Sequence, residues 1–356
     1  MKDKKPGNYP LDVGTLVEYS KGAISYTPVM AYLNQRFKEH VASLCGTLAG
    51  ETQPRPMGTC FFIQTINSTG LAFDYLVTAK HVVEQLHNAG GPAYMRVNKG
   101  KVGEFNRGVL DLQIPTEKGW LYHSDPSVDL AVLPKYVPEA EAEVESQKGQ
   151  TYRVLMLKWE SLLASRAKAP MWPPGEAEAV MFVAMTTQFQ GERANLPTVR
   201  RGHLSLVTKE PIKGYYGPSH YYVVEAQVYP GNSGAPVWVE LTDRETKVSG
   251  WHNLGVLVFS YPAEEELKMV QGVQNAYYNL GLSLVVPIEK LEEIVDSKEE
   301  KDRREKIKGP YPPGVAISAS GDDEPFVLTR EGFQGALRKV SRPEGKKVIE
   351  KRDPAS

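Results

Sequence analysis

Three residues of the chain are of the types that together perform nucleophilic hydrolysis: a serine, a histidine and an aspartate. Ser233 lies in the segment YPGNSGAP, where Gly231 and Gly234 permit backbone conformations in which neighbouring N–H groups converge on one point. Such a loop can bind an anion, although the same residue types also form ordinary turns between strands. A serine hydroxyl is a weak nucleophile on its own, so the chain must also supply a general base and a group that orients this base.

The sequence offers one histidine and one aspartate in suitable surroundings. His81 lies at the end of an apolar β-type run in LVTAKHVV. Asp129 begins the apolar run DLAVL, and a buried carboxylate is costly unless a cation or a hydrogen-bond donor accompanies it, a role that an imidazole fills. Asp125 is an alternative, but it precedes Pro126 in the polar segment SDPS, which is typical of a turn.

Short β-strands are the elements that must position these residues. Runs rich in Val, Leu, Phe, Tyr and Thr recur between residues 41 and 288 and are separated by Gly, Pro and polar clusters. This pattern favours an all-β barrel or sandwich over alternating strands and helices.

Two helices are predicted to flank the β region. The first begins at Thr27, and the second begins at Pro287. The apolar residues of the second helix recur at helical spacing: Ile288, Leu291 and Ile294. Its distal part carries opposite charges four residues apart, in the pairs Glu299–Arg303 and Glu300–Arg304, which is typical of a solvated helix.

Composition narrows the class of protein. With 356 residues, 41% hydrophobic and 24% charged, and a net charge of −1, the chain is predicted to be a soluble globular protein. No membrane span or secretory signal is evident, and Cys45 and Cys60 are too few for a disulfide framework, so we expect a cytoplasmic protein with reduced thiols. We expect neither a membrane nor a nucleic-acid partner, since a nucleic-acid site would rest only on Arg200, Arg201 and the charged helix.

The motifs around the three residues resemble those of the trypsin-like serine protease family. TAKHVV is similar to the family's Thr-Ala-x-His-Val box, DLAVL to its Asp box, and GNSGAP to its Gly-Asn-Ser-Gly-Gly-Pro box. The order His81, Asp129, Ser233 is also that of the family. The resemblance extends over roughly residues 43 to 295. Within the family, the sequence is most similar in type to the bacterial high-temperature-requirement and glutamyl-endopeptidase groups, which need no disulfides.

The sequence departs from the family pattern at several points. Cys60 replaces a usual glycine, and Ala235 replaces the usual second glycine after the serine. No activation-cleavage sequence precedes the first strand, which argues against a trypsinogen-style zymogen. We also expect no room for the peptide-binding domain that usually follows in the high-temperature-requirement group, so the oligomeric regulation of that group is not carried over to this chain.

The resemblance implies two antiparallel six-stranded β-barrels of the chymotrypsin-like type, with the active site in the cleft between them. We accordingly expect an N-terminal extension with a helix over residues 1–40. A first barrel over 41–150 would carry His81 and Asp129, and a second over 151–296 would carry Ser233 and the start of the C-terminal helix. Residues 297–356 would form the end of the charged helix, a linker and a tail.

The resemblance also implies an activity: a serine endopeptidase that cleaves protein or peptide substrates through an acyl-enzyme intermediate. Ser233 would be the nucleophile, His81 the general base, and Asp129 the group that orients the imidazole. The backbone N–H groups of Gly231 and Ser233 would form the oxyanion hole. No metal and no other cofactor is expected. A catalytically silent protease-fold binding module remains the alternative.

A primary specificity pocket is implied as well. Its base would be Gln227, and its walls would be Val228, Phe259, Ser260, Gly281 and Leu282. None of these residues is acidic, so selection of Arg or Lys is not expected. Glutamate preference would need a histidine in the strand after the serine, where GVLVFS has none, although His252 lies a few residues earlier. We therefore predict cleavage after small or medium uncharged residues.

The tail is predicted to be dispensable for cleavage of short peptides. It follows the segment GPYPPGVAISASGDDEP, which begins at Gly309 and is typical of a linker. A short helix with Phe333, Leu337 and Val340 on one side would allow the tail to dock a partner.

Overall fold

The computed structural model describes residues 37–99, 108–134, 152–153, 156–169, 171–243, 249–269 and 272–307. The tail after Gly309 lies outside these ranges, as does the predicted helix from Thr27 apart from residues 37–39, which are helical.

The first half of the described chain contains nine strands and two helices after residue 40. The strands are β1 (Val41–Leu48), β2 (Arg55–Ile66), β3 (Ala72–Thr78), β4 (Gly90–Lys99), β5 (Val109–Ile114), β6 (Leu121–Tyr122), β7 (Ala131–Pro134), β8 (Tyr152–Arg153) and β9 (Leu157–Lys158). The helices are α1 (Lys80–Asn88) and α2 (Trp159–Ala167).

The second half adds eight strands and two helices. The strands are β10 (Ala179–Ala184), β11 (Thr198–Val207), β12 (Ile212–Gly214), β13 (Gly217–Ser219), β14 (Tyr222–Glu225), β15 (Pro236–Thr242), β16 (Ser249–Met269) and β17 (Gly272–Pro287). The helices are α3 (Ile288–Val295) and α4 (Lys298–Lys306).

The strands of the second half close into a six-stranded antiparallel barrel in the order β10-β11-β14-β17-β16-β15. Alternate residues of these strands form one apolar cluster, because successive side chains of a strand point to opposite faces. Among its fully buried members are Val180, Phe182, Val224, Val237, Val239 and Val285. The predicted all-β class and the second barrel are thus confirmed.

The nine strands of the first half form one sheet. Seven of them are neighbours in the order β5-β4-β1-β2-β3-β7-β6, and β8 and β9 pair beside this path. Within the described residues this sheet does not close into a barrel, and residues 100–107 and 135–150 lie outside the description. β8 pairs with β4, and β9 pairs with β2 in parallel. The start of the segment that we assigned to the second barrel therefore belongs to the first sheet, since its backbone hydrogen bonds are made there.

The predicted β-type run AFDYLVTAKHVV is divided between two elements. β3 ends at Thr78, and α1 begins at Lys80. Val82, Val83 and Leu86 of α1 are buried at helical spacing, so tertiary packing overrides the β-propensity of the two valines. The histidine that we expected at the end of a strand lies instead in the first turn of a helix.

The C-terminal helical stretch is confirmed as helical but breaks in two. Ile288, Leu291 and Ile294 are buried as predicted. α3 ends at Val295, and the Ser297 side chain then caps α4 by accepting a hydrogen bond from the N–H of Glu300, with an O···N distance of 3.2 Å. The description of the distal part as a solvated helix is wrong, because two of its charged residues are buried.

Glu300 and Arg304, only 3% and 4% exposed, bind the phenol of Tyr75 on β3. Tyr75 Oη donates to Glu300 and accepts from Arg304 Nη1 at 3.0 Å. Arg304 Nη1 also donates to the carbonyl of Val295 at 2.7 Å, and its Nη2 to Asp296 at 3.3 Å. These contacts attach α4 to the first sheet and explain how two ionised groups are accommodated in the interior.

We predict that Arg304→Ala lowers the free energy of unfolding by about 3 kcal/mol, because it leaves buried acceptors without their charged donor. Urea denaturation followed by circular dichroism measures the change. Lys298→Ala is the matched control, since this lysine is on the same helix and is exposed. The control should change stability by less than about 0.5 kcal/mol. Equal losses in the two variants would contradict a role for the buried network.

Candidate active site

His81 and Asp129 are brought together by the pairing of two strands. β3 and β7 are antiparallel neighbours with Thr78 opposite Ala131, so the start of α1 lies beside the residues that precede β7. Asp129 is fully buried. Its Oδ2 lies 2.6 Å from His81 Nδ1, and its Oδ1 accepts the backbone N–H of His81 at 3.0 Å. Both carboxylate oxygens therefore bind the same histidine.

This double contact determines both the orientation of the imidazole and which ring nitrogen carries its proton. A carboxylate only accepts hydrogen bonds, so Nδ1 must carry a proton when it faces Asp129. In the neutral ring, Nε2 is then unprotonated and acts as an acceptor. Asp125, the alternative considered above, is an exposed turn residue that accepts from the N–H and hydroxyl of Ser127, and these bonds lower the pKa of its carboxyl group.

The loop around Ser233 uses all of its carbonyl groups in hydrogen bonds. Every carbonyl from residue 229 to residue 233 accepts a hydrogen bond: Tyr229 from Asn232 N, Pro230 from Thr187 N, Gly231 from Thr59 Oγ1, Asn232 from Ala235 N and Ser233 from Thr59 N. By contrast, no hydrogen bond in the described part of the chain uses the N–H of Gly231 or Ser233. Gly231 has a φ of +93°, a conformation that L side chains rarely adopt.

The same loop packs directly on the segment that leads to His81. Gly234 has a φ of +91°, and a Cβ placed there would lie 2.0 Å from the carbonyl oxygen of Thr59 and 2.3 Å from Thr78 Oγ1. Only glycine fits this contact, which sets Ser233 beside the end of β3. Ser233 Oγ and His81 form no hydrogen bond among those of the described residues; hydrogen bonds between a nucleophile and its base are often long in enzymes without bound substrate.

Thr59 on β2 is a residue of the site that the sequence did not reveal. Its buried hydroxyl donates to the carbonyl of Gly231 at 2.7 Å and accepts the N–H of Met185 at 2.9 Å. Its own N–H donates to the carbonyl of Ser233 at 2.8 Å. One threonine of the first sheet therefore holds the serine loop of the second barrel at two points.

We predict that Thr59→Val, which keeps the shape of the side chain, lowers kcat about tenfold and the free energy of unfolding by about 1–3 kcal/mol. The valine leaves the carbonyl of Gly231 without its donor, so the peptide that carries the N–H of Asn232 and the neighbouring N–H groups loses its fixed orientation. Steady-state kinetics and urea unfolding measure the two effects. Thr69→Val, in an exposed turn, is the matched control, and a Thr59 variant as active as this control would contradict the anchoring role.

The predicted pocket residues lie on adjacent segments. Ala226 N donates to the carbonyl of Gly281 at 2.7 Å, and Asn279 Nδ2 donates to the carbonyl of Val228 at 2.6 Å. These bonds join the Gln227–Val228 segment to β17. The other members lie on β16 and β17, where Phe259 pairs with Leu284, Ser260 with Ser283, and Leu282 with Glu225.

Gln227 is the residue that we predicted to form the base of the pocket. Its side chain is exposed, and its Oε1 accepts the phenol of Tyr229 at 3.1 Å. His252 is buried on β16 with Nδ1 2.8 Å from Ser165 Oγ and 3.1 Å from the Ser165 carbonyl oxygen. Burial lowers the pKa of this imidazole. His252 is therefore bound to α2 rather than placed to read a substrate carboxylate.

The remaining candidate nucleophiles are the two cysteines, which are both free and buried. Burial raises the pKa of Cys45 to about 11 and raises that of Cys60 as well. Both therefore remain protonated at neutral pH, where a thiol is far less nucleophilic than a thiolate. In the described ranges, no group of His, Cys, Asp or Glu is arranged to hold a metal ion. None of the described helices is long and apolar enough to cross a membrane.

Residues 58–244 match the trypsin-like peptidase domain, and this range includes His81, Asp129 and Ser233. The chain belongs to the trypsin-like peptidase family. The predicted family resemblance is thus confirmed, and the membership supports a protease-type function for this trypsin-like peptidase.

The fold is also similar to that of two solved structures. The protease domain of MamO from Magnetospirillum magneticum is 14% identical, with a TM-score of 0.41, over 72% of this chain and 96% of that one. The active form of the Rv3671c protease from M. tuberculosis is 14% identical, with a TM-score of 0.39, over 89% of this chain and 100% of that one. No curated protein matches the sequence.

Proposed function

We propose that this trypsin-like peptidase is a serine endopeptidase in which Ser233, His81 and Asp129 form the catalytic triad. The observation that carries the proposal is the double contact of Asp129 with His81, at 2.6 Å to the ring and 3.0 Å to the backbone. A fully buried carboxylate is costly unless it is paired, and here both of its oxygens serve to hold one imidazole. This arrangement suits a base that must keep one tautomer throughout a reaction.

In the proposed mechanism, Ser233 Oγ attacks the carbonyl carbon of the scissile bond while His81 Nε2 accepts its proton. Asp129 stabilises the imidazolium that forms. The imidazolium then gives its proton to the departing amine, which leaves an acyl ester on Ser233. Water, activated by the same histidine, hydrolyses this ester and restores the serine.

The serine loop supplies the oxyanion hole of this mechanism. The tetrahedral intermediate carries its negative charge on the former carbonyl oxygen, which the N–H groups of Gly231 and Ser233 are proposed to bind. The hydrogen bonds of the loop support this role. Each carbonyl from residue 229 to residue 233 already accepts a hydrogen bond, so the oxyanion would meet N–H donors rather than carbonyl oxygens. The fixed orientation of these donors costs no reorganisation during the reaction.

Cleavage after small or medium uncharged residues is part of the proposal. Val228, Ser260 and Leu282 carry no charge that would compensate a buried ionic substrate side chain. The hydrogen bonds of His252 to Ser165 argue further against glutamate selection.

A fluorophosphonate probe tests the proposal against the alternative of a catalytically silent binding module. Such probes phosphonylate a serine only when a neighbouring base activates it. We expect one label on the wild-type chain, mapped to Ser233, and none on folded Ser233→Ala or His81→Ala. A folded wild-type chain that takes up no label would instead identify the silent module.

A further inference from the structure

A tyrosine from the second half of the chain covers the face of His81. The hairpin of β12 and β13 carries Tyr215 and Tyr216 at its tip. The Tyr215 ring stacks on the His81 imidazole with 5.3 Å between ring centroids and 28° between the planes. Tyr215 is 56% exposed, whereas His81 is 7% exposed. An exposed aromatic ring thus separates this face of the imidazole from solvent.

Contacts with both halves of the molecule hold the hairpin tip in place. Tyr216 Oη donates to Glu84 of α1, and Lys80 Nζ lies 4.0 Å from the centroid of the Tyr216 ring. Burial and the hydrogen bond to Glu84 raise the pKa of Tyr216, so its phenol remains a donor. On the other side, Tyr261 Oη donates to the carbonyl of Lys213 at 2.8 Å. Tyr215 is therefore held over the imidazole by the contacts of its neighbours in the hairpin.

The chemistry of cleavage requires the substrate to pass this tyrosine. The attacked carbonyl carbon must lie about 3 Å from Ser233 Oγ, with the departing nitrogen within reach of His81 Nε2. Consecutive Cα atoms are about 3.8 Å apart, so the residues on both sides of the scissile residue lie near the imidazole. The Tyr215 hairpin is bound to Tyr261, next to the predicted pocket residue Ser260, so it lies on the side of the residue immediately N-terminal to the scissile residue. We call this residue the preceding residue. Its side chain meets the space that Tyr215 occupies above His81.

We infer that Tyr215 is a specificity-determining residue that restricts the preceding residue to glycine or alanine. The inference rests on the proposed serine endopeptidase function. The stacked rings, with 5.3 Å between their centroids, leave no space for any side chain between them, whereas glycine and alanine place at most one methyl group beside them. A larger side chain must displace the Tyr215 ring, which then loses its packing on the imidazole. Tyr216 resists this displacement through its hydrogen bond to Glu84.

Peptides that differ only at the preceding residue test the inference. They carry Gly, Ala, Val, Leu or Phe at this position and the same uncharged scissile residue. For the wild-type enzyme we expect kcat/KM to be at least about tenfold higher with Ala than with Leu. Tyr215→Ala should bring this ratio close to one, because it removes the ring that excludes the larger side chain. Tyr215→Phe keeps the ring and should keep the wild-type ratio.

The outcomes separate this inference from the function on which it rests. Ser233→Ala, measured with the same peptides, shows whether cleavage depends on the proposed nucleophile. Absence of Ser233-dependent cleavage overturns both proposals. Ser233-dependent cleavage with the same ratio in wild type and Tyr215→Ala overturns the inference about Tyr215 alone. An equal rise on all peptides in Tyr215→Ala also overturns it, since the tyrosine then acts as a general cover and not as a selective one.

Discussion

Replacing Ser233 with alanine is expected to lower kcat for peptide hydrolysis by about 10⁴- to 10⁶-fold while the protein remains folded. The variant has no hydroxyl to form the acyl ester, so His81 and Asp129 have no nucleophile to activate. The residual rate over the uncatalysed reaction would come from substrate binding and from the N–H groups of the loop. The fold survives because the loop is held by backbone groups of Ser233 and its neighbours, including the bond from Thr59 N to the Ser233 carbonyl, and not by the hydroxyl.

Single-turnover and steady-state kinetics on a fluorogenic peptide measure this loss, and thermal unfolding checks the fold. Ser205→Ala, a half-buried serine of β11, is the matched control and should keep kcat within about twofold. A Ser233→Ala protein that retains a tenth of the wild-type kcat would remove this residue from the mechanism. An inactive Ser205→Ala variant would show that removing a serine hydroxyl elsewhere in this barrel also abolishes activity. The loss in Ser233→Ala would then not identify the nucleophile.

The candidate site was predicted from the sequence where local motifs specify local geometry. The glycines that flank Ser233 predict a loop of unusual backbone conformation, and both adopt positive φ values, +93° and +91°. Asp129 was predicted to be buried with a partner, and it contacts His81. Thr59 was not predicted, because its hydroxyl contacts Gly231, 172 positions away, and nothing in the segment MGTCFFI distinguishes an anchoring threonine from an ordinary strand residue. Tyr215 likewise resembles a common hairpin residue until its contact with His81 is seen.

For the fold as well, local sequence patterns predicted local structure but not the contacts between distant segments. Short runs rich in Val, Leu, Phe, Tyr and Thr predicted the strands of the second barrel, and alternate residues of these strands are buried. The start of α1 was missed, since Val82 and Val83 have high β-propensity and only their packing in the core selects the helix. Glu300 and Arg304 form a pattern typical of a solvated helix. Their burial depends on a phenol 225 positions from Glu300, which no local pattern encodes.

Asp129→Asn is expected to lower kcat by about 10³- to 10⁴-fold without unfolding the protein. The native carboxylate accepts two donors from His81, the backbone N–H and the ring Nδ1–H. An asparagine amide has one oxygen, so it accepts one of them and presents its NH₂ group to the other. When the oxygen takes the backbone N–H, the NH₂ faces Nδ1, and the ring must carry its proton on Nε2. In that tautomer Nε2 is a donor toward Ser233 and is unable to accept the serine proton.

Asp125→Asn provides the matched control for this prediction. It makes the same chemical change in a nearby exposed turn, where the carboxylate accepts hydrogen bonds from Ser127, and it should alter kcat by less than about twofold. The rate of fluorophosphonate labelling should fall together with kcat in Asp129→Asn, because both reactions require activation of Ser233 by the imidazole. Neutron diffraction or ¹⁵N chemical shifts of the His81 ring would show the proton on Nε2 in this variant and on Nδ1 in the wild type. If Asp129→Asn retained more than a tenth of wild-type activity with the proton on Nε2, His81 would not act as the base, whatever its contact with Asp129.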